Sequence, residues 1–266
     1  MNLIDSHAHL DSPQLRDRLE EILASAREAG VEAILSVACV RSPRESLDDV
    51  LALTGGSRPR VFAAAGVHPH DAQAYDDSLE ERICEAMLRP DVLAWGEIGL
   101  DFHYDNSPCD TQEETFRRQL RAARRLGKPV VIHSRSAAEE TCRIIEEELP
   151  DGGPGGVMHC FTYDRATARR CLDFGFHLSF GGILTFPRSE ELREVARMAP
   201  ADRFLIETDS PYLAPVPFRG KPCHPALVAL VAAKLAEIRR IDAHEIALQS
   251  ARNFKALFGW PTRPPD

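Results

Sequence analysis

Along the chain, short runs of aliphatic and β-branched residues alternate with longer stretches in which apolar positions recur every three or four residues. The short runs predict strands at Leu3–His7, Ala33–Ala38, Val61–Val67, Leu93–Ile98, Val130–His133, Gly156–His159, His177–Phe180 and Phe204–Glu207. The longer stretches predict helices, among them Leu15–Ala29, Leu79–Leu88, Thr111–Leu126 and Ala137–Leu149, with Pro225–Arg239 and Ala243–Phe258 completing an outer ring. Gly30 and Gly127 read as helix C-terminal caps. Ser12-Pro13 and Ser210-Pro211 read as N-caps followed by a first-turn proline. Strands that alternate with helices predict an α/β fold, a closed parallel (β/α)8 barrel of the TIM type. A chain of 266 residues suits one such barrel as a single domain over 1–266. No internal repeat or linker interrupts it; the least regular parts are the glycine-rich Asp151–Gly155 and the proline-rich tail after Trp260.

Composition narrows the class. Hydrophobic residues make up 44% and charged residues 27%, a globular balance that argues against disorder over most of the chain. No apolar run approaches the roughly 20 residues of a membrane span. The opening MNLIDSHAHLD lacks the basic and then apolar pattern of a signal peptide, so a cytoplasmic location is expected. The seven cysteines are odd in number and scattered without CxxC, which disfavours a disulfide framework or a zinc knuckle. Most of them, Cys160 included, are expected to be small buried hydrophobes. The net charge of −9 disfavours a basic surface that coats nucleic acid, and predicts weak, salt-sensitive and distributive binding to short stretches. It leaves room for a small site made cationic by bound metal. A monomer is expected, because no exposed apolar heptad is visible.

Candidate chemistry collects at the ends of the predicted strands. His7 and His9 form an HxH whose two side chains fall on one side of a strand. Glu97, His133, His159 and Asp209 each stand at the end of a further strand. In a barrel those ends converge on one mouth. One strand-end histidine is ordinarily a hydrogen-bonded or surface residue; six metal-competent groups at one end are hard to reconcile with chance. Nitrogen and carboxylate donors suit zinc, manganese, nickel or iron, and a carboxylate-rich set suits magnesium. Six groups exceed one tetrahedral ion, and two divalent ions sharing Glu97 are a natural solution. Asp209 could be both ligand and general base.

A second ring surrounds these groups. His68 and His70 in GVHPH could contact substrate or hold a ligand. Arg135, two residues past His133, suits a phosphate, and Arg219 and Lys221 form a basic patch after Asp209. Asp101 and Glu207 could orient ligand imidazoles. Phe102, Tyr104, Phe161 and Tyr212 fall on loops near the same mouth, where they could stack bases or simply pack.

These motifs together resemble the TatD family of metal-dependent hydrolases, within the amidohydrolase superfamily. The likeness runs from Ile4 to about Phe258, through DSHAHLD, GVHPH, GEIGLDF, Gln112–Leu120, KPVVIHSR, MHCF, LSFGGILTF, ETDSPYLAP and FRGK. It implies a distorted barrel with two divalent ions, magnesium, manganese or zinc. His7, His9, Glu97 and Asp209 would serve one, and Glu97, His133 and His159 the other. It implies a deoxyribonuclease that works 3′ to 5′ on single strands, with metal-activated water attacking phosphorus and Asp209 taking its proton. His68, Arg135, Arg219 and Lys221 would then contact DNA. The alternative within the resemblance is deacylation of D-aminoacyl-tRNA, or another ester or amide hydrolysis. A metal-binding scaffold without catalysis is a third reading, disfavoured because all six donors are present. Two departures bear on substrate preference: Cys223 stands where the family commonly has asparagine, and His103 replaces a more usual aromatic.

Overall fold

The computed structural model describes residues 2–38, 42–56, 59–104 and 106–260. Eight parallel strands pair in the order of the sequence. They are β1 (Leu3–Ala8), β2 (Val31–Ala38), β3 (Arg60–Ala65), β4 (Val92–Asp101), β5 (Val130–Arg135), β6 (Gly156–Met158), β7 (His177–Phe180) and β8 (Phe204–Ile206). The ring closes just beyond β8, where Asp209 N–H donates to His7 O at 3.0 Å and His9 N–H to Ser210 O at 2.7 Å. The expected (β/α)8 barrel is therefore the observed one. Its helices are α1 (Pro13–Arg16), α2 (Leu19–Glu28), α3 (Pro43–Leu53), α4 (Asp77–Ala86), α5 (Cys109–Leu126), α6 (Ala138–Glu148), α7 (Arg165–Asp173), α8 (Glu190–Met198), α9 (Val228–Arg239) and α10 (Ala243–Phe258). Among the described residues, no helix is long and apolar enough to cross a membrane.

The strands are buried on both faces, because helices cover the outside and side chains fill the inside. One cluster lies inside the barrel, where Ile4, Leu35, Phe62, Leu93, Val131, Val157 and Leu205 meet Phe254 and Phe258 of α10. These strand residues come early in their strands, so α10 plugs the end where strands begin and leaves the other end open. The outer cluster joins Leu3, Ile34, Trp95 and Ile132 to helix residues such as Phe116, Ile145 and Val195. The alternation then explains the mouth. Two positions after the inward Val131, Val157 and Leu205 come His133, His159 and Glu207. In β1 the register shifts between Asp5 and Ala8, and in β4 between Gly96 and Ile98. These irregularities fall on His7 and Glu97, where a re-aimed side chain is needed.

Several expectations change. The helix expected over Leu15–Ala29 is two, because Arg18 leaves helical geometry at φ −123°, ψ 20°. The apolar spacing continues through the break, with Leu15, Ile22 and Ala26 all buried, so periodicity cannot reveal it. Ser12 and Pro13 do start α1 as expected. Ser210-Pro211 starts no helix; Ser210 instead bridges to Ala8 and helps close the barrel. Cys142, Cys171 and Cys223 are buried, but Cys84 and Cys160 are only half-buried and Cys109 is exposed. Cys39 and the tail after Trp260 lie outside the described residues.

One glycine shows how tightly β4 and β5 meet. Gly99 has φ +136°, and a Cβ there would lie 1.9 Å from His133 O. Gly99→Ala is expected to cost about 3 kcal/mol or more, combining left-handed strain with a backbone collision. A urea midpoint, or loss of soluble protein, reads this out; an unchanged midpoint would show that the two strands can part.

Candidate metal centre

The open end of the barrel holds a cavity of about 540 Å³. Its lining includes His9, His68, His70, Glu97, Asp101, Tyr104, His133, Arg135, His159, Asp209 and Tyr212. His7 lies directly beneath, stacked on His159 with ring centroids 3.5 Å apart. The six donors expected from the sequence thus converge from β1, β4, β5 and the segments after β6 and β8. Arg135 joins them. Arg219 and Lys221 do not: they line a neighbouring groove. Phe161 is buried in the outer core and Phe102 packs against it, so neither contributes a free aromatic face.

Four donor atoms draw close around the His7–His9 pair. His7 Nε2 and His9 Nε2 are 3.3 Å apart. Glu97 Oε2 lies 3.4 Å from the first and 3.9 Å from the second. Asp209 Oδ1 lies 3.9 Å and 3.4 Å from the same two atoms. A tetrahedral shell of ligands about 2.1 Å from its ion has edges of about 3.4 Å, so this spacing fits a divalent cation. The ring orientation fits as well. His9 Nδ1 is 3.2 Å from the Val37 carbonyl, which can only accept, so the proton sits on Nδ1 and the Nε2 lone pair faces the cluster.

The other oxygen of Glu97 faces three more imidazoles. Oε1 is 2.9 Å from His133 Nδ1, 3.6 Å from His159 Nε2 and 3.8 Å from His68 Nε2. The tight groupings are His7, His9 and Glu97; His7, His159 and Asp209; His68, Glu97 and His133; and His159, Cys160 and Glu207. His68 Nε2 thus lies close to the cluster, but its Nδ1 accepts the His70 backbone N–H at 3.2 Å, so the ring proton sits on Nε2. That nitrogen is a donor rather than a metal ligand, which fits substrate contact, one of the two roles the sequence suggests for it. His133 stands closer to His68 than to His159, with ring centroids 4.6 Å and 6.3 Å away.

Buried carboxylates hold these rings from behind. Asp101 Oδ2 is 3.0 Å from His133 Nε2 and 3.1 Å from His70 Nε2, while its Oδ1 accepts the backbone N–H groups of His103 and Tyr104. Glu207 Oε1 lies 3.0 Å from His159 Nδ1 and accepts the Cys160 N–H at 2.8 Å. Its other oxygen takes the Ser179 hydroxyl at 2.5 Å. Asp101 and Glu207 thus have the orienting geometry suggested by their places in the sequence. Two buried glutamines of α5 were not foreseen. Gln112 bonds the backbone N–H and C=O of Asp101, and Gln119 bonds those of Val67, next to His68. The available signal was two glutamines seven apart on the face that carries Phe116 and Leu120.

The electrostatics favour positive charge. Burial alone would raise the Glu97 carboxyl, but the imidazoles of His159, His7 and His68 outweigh it and hold the group well below its ordinary value. Asp209 is likewise lowered, burial being opposed by His159, His9 and His7. In return, His159 is pushed up to about 10, where Glu207, Glu97 and Asp209 overcome burial. His9 and His133 are also raised, by Asp209 and by Asp101 with Glu97 respectively, against burial. Burial instead lowers His68 and His7. Without a cation, the carboxylates draw protons onto the rings around them. Behind the cluster, burial pushes Asp5 up to about 8, against hydrogen bonds from Thr208 and His7. Left-handed backbone also gathers at this end, at Ser136, Cys160, Asp209 and Leu213. Such strain persists where surrounding structure over-determines it, and it concentrates at functional sites.

Comparison with known proteins gives a consistent result. The family model described as TatD related DNase matches residues 4–259. An uncharacterized metal-dependent hydrolase of Escherichia coli, YcfH, is 41% identical, over 97% of this chain and 96% of its own. The 3′-5′ ssDNA/RNA exonuclease TatD of the same organism is 36% identical, over 97% and 99%. The crystal structure of YJJV, a TatD homologue from Escherichia coli, superposes with a TM-score of 0.88 at 34% identity, covering 97% of this chain and 98% of that one.

Proposed function

The chain belongs to the TatD family of metal-dependent hydrolases, and from that membership we propose that it trims single-stranded nucleic acid, DNA foremost, from the 3′ end. The observation that carries this reading is on the cavity wall. The Arg135 guanidinium lies 4.8 Å above the Tyr104 ring, beside the donor cluster. Arg135 has no acidic partner among the described residues, so its fork of N–H groups is open to a phosphate. The exposed Tyr104 ring offers a base a stacking surface. The relative named as a 3′-5′ ssDNA/RNA exonuclease supports the same choice.

In this reading His7, His9 and Asp209 would hold one divalent ion and His133 and His159 a second, with Glu97 within reach of both groups. Bound there, divalent cations supply Lewis acidity and lower the pKa of water toward neutrality. The residues do the rest. Arg135 seats the phosphodiester. Asp209, ionised among imidazoles, takes the proton of the attacking water. His68 accepts the His70 N–H on Nδ1, which leaves its own proton on Nε2, facing the cavity. There it donates a hydrogen bond to a substrate oxygen. Tyr104 and Tyr212, both near half exposed, flank the opening.

The test is digestion of end-labelled single-stranded DNA by metal-stripped protein reloaded with magnesium, manganese or zinc. The expected result is a ladder shortened from the 3′ end that needs added metal. No shortening with any metal would sink the nuclease reading. It would turn attention to carbonyl esters such as the bond in D-aminoacyl-tRNA, which the same donors could serve.

A further inference from the structure

Beside the metal cavity, and sharing Leu213 with it, runs a groove of about 430 Å³ lined by Gln14, Phe186, Pro211, Arg219 and Lys221. Its cations differ from most arginines on the outer helices. Arg117, Arg118, Arg121, Arg143 and Arg170 are each paired with carboxylates. Among the described residues, Arg219 and Lys221 have no acidic partner. Each leans on an aromatic ring instead. The Arg219 guanidinium lies 4.4 Å from the centroid of Phe186, and Lys221 Nζ lies 5.9 Å from that of Phe218. A chain with net charge −9 could readily have supplied partners.

The walls are also held in place. Val216 N–H donates to Thr185 Oγ1 at 2.9 Å, Lys221 N–H to Phe218 O at 3.0 Å and Cys223 N–H to Pro211 O at 2.9 Å. A Cβ on Gly182 would lie 2.0 Å from Leu213 O, so the ridge between groove and cavity is seated on backbone. A guanidinium held over a ring, with no acidic group competing for its N–H groups, loses less freedom when an anion arrives than a free side chain would.

We propose that this groove is a second subsite, which binds the phosphate of a nucleotide next to the one cleaved, so that the strand crosses the Leu213 ridge. The inference rests on the nuclease reading and adds a length requirement to it: affinity comes partly from a phosphate that is not the scissile one. Small phosphodiesters fill only the cavity and gain nothing from Arg219 or Lys221.

The test compares manganese-loaded wild type with the double variant Arg219→Ala/Lys221→Ala on two substrates, a twelve-residue oligothymidylate and bis(p-nitrophenyl) phosphate. The variant is expected to raise KM for the oligonucleotide about tenfold with kcat within about twofold. Its kcat/KM for the small diester stays unchanged. The slope of log affinity against log salt falls by about 1.4, the loss of two single-strand phosphate contacts. Arg252→Ala, an exposed charge removed from α10, changes neither substrate. An unchanged oligonucleotide KM overturns the groove. So does an equal loss on both substrates, which would make the pair a support of the metal centre. Wild type that cleaves the small diester but neither binds nor cleaves the oligonucleotide overturns the nuclease reading, and the groove with it.

Discussion

Asp209→Asn is expected to lower turnover by about a thousandfold while bound metal is retained. Asparagine keeps the shape and one carbonyl oxygen, so a donor atom can remain where Oδ1 now faces His9 Nε2 at 3.4 Å. It cannot accept a proton. The wild-type group can, because the surrounding imidazoles keep it ionised despite burial. Steady-state rates on single-stranded DNA, with metal content by atomic absorption on the same samples, separate the two properties. Full activity would remove Asp209 as the proton acceptor. Loss of metal together with rate would make it a ligand first.

Glu97→Gln is expected to act in the other order, with metal lost first and activity with it. Both carboxylate oxygens are engaged. One faces His7 and His9; the other faces His133, His159 and His68. Glutamine keeps the size but removes the charge and turns one oxygen into a donor. A substitution behind a metal ligand costs about 10–100-fold in metal affinity, so one at the shared carboxylate should cost about a hundredfold at least. Titration of metal-stripped protein with manganese, followed calorimetrically, measures this directly. Wild-type affinity in the variant would show that the imidazoles and Asp209 suffice and that Glu97 has another task.

The contrast between these residues shows what could be read from the chain. His133, His159 and Glu207 obey a two-residue alternation continued from Val131, Val157 and Leu205, so their side of the strand was legible. The HxH spacing pairs His7 with His9 by the same alternation, but His7 and Glu97 both lie on register shifts, where alternation does not fix the facing, and Glu97 is legible by residue type and position alone. Ser210-Pro211 carried the local chemistry of a helix start, but the hydrogen bonds available from β1 gave Ser210 a different partner. Arg219 and Lys221 follow Asp209 closely in sequence, yet the Leu213 ridge puts them on the far side of a wall. Sequence distance along a loop says little about which cavity its side chains enter. Gln112 and Gln119 were invisible for another reason. A buried glutamine is recognisable only once the backbone groups it satisfies are known.

The closure of the barrel has a consequence for how the protein is made. His7 and His9 come from the first strand and Asp209 from just after the last, and the backbone bonds Asp209–His7 and His9–Ser210 join them directly. A chain leaving the ribosome exposes its N-terminus first and must hold β1 open until β8 and the segment after it emerge. No nascent fragment that ends before Asp209 carries the complete donor set. Assembly of the full donor set therefore waits for the last strand and the segment after it, and a product truncated before Asp209 lacks both that donor and the backbone bonds that close the ring on β1.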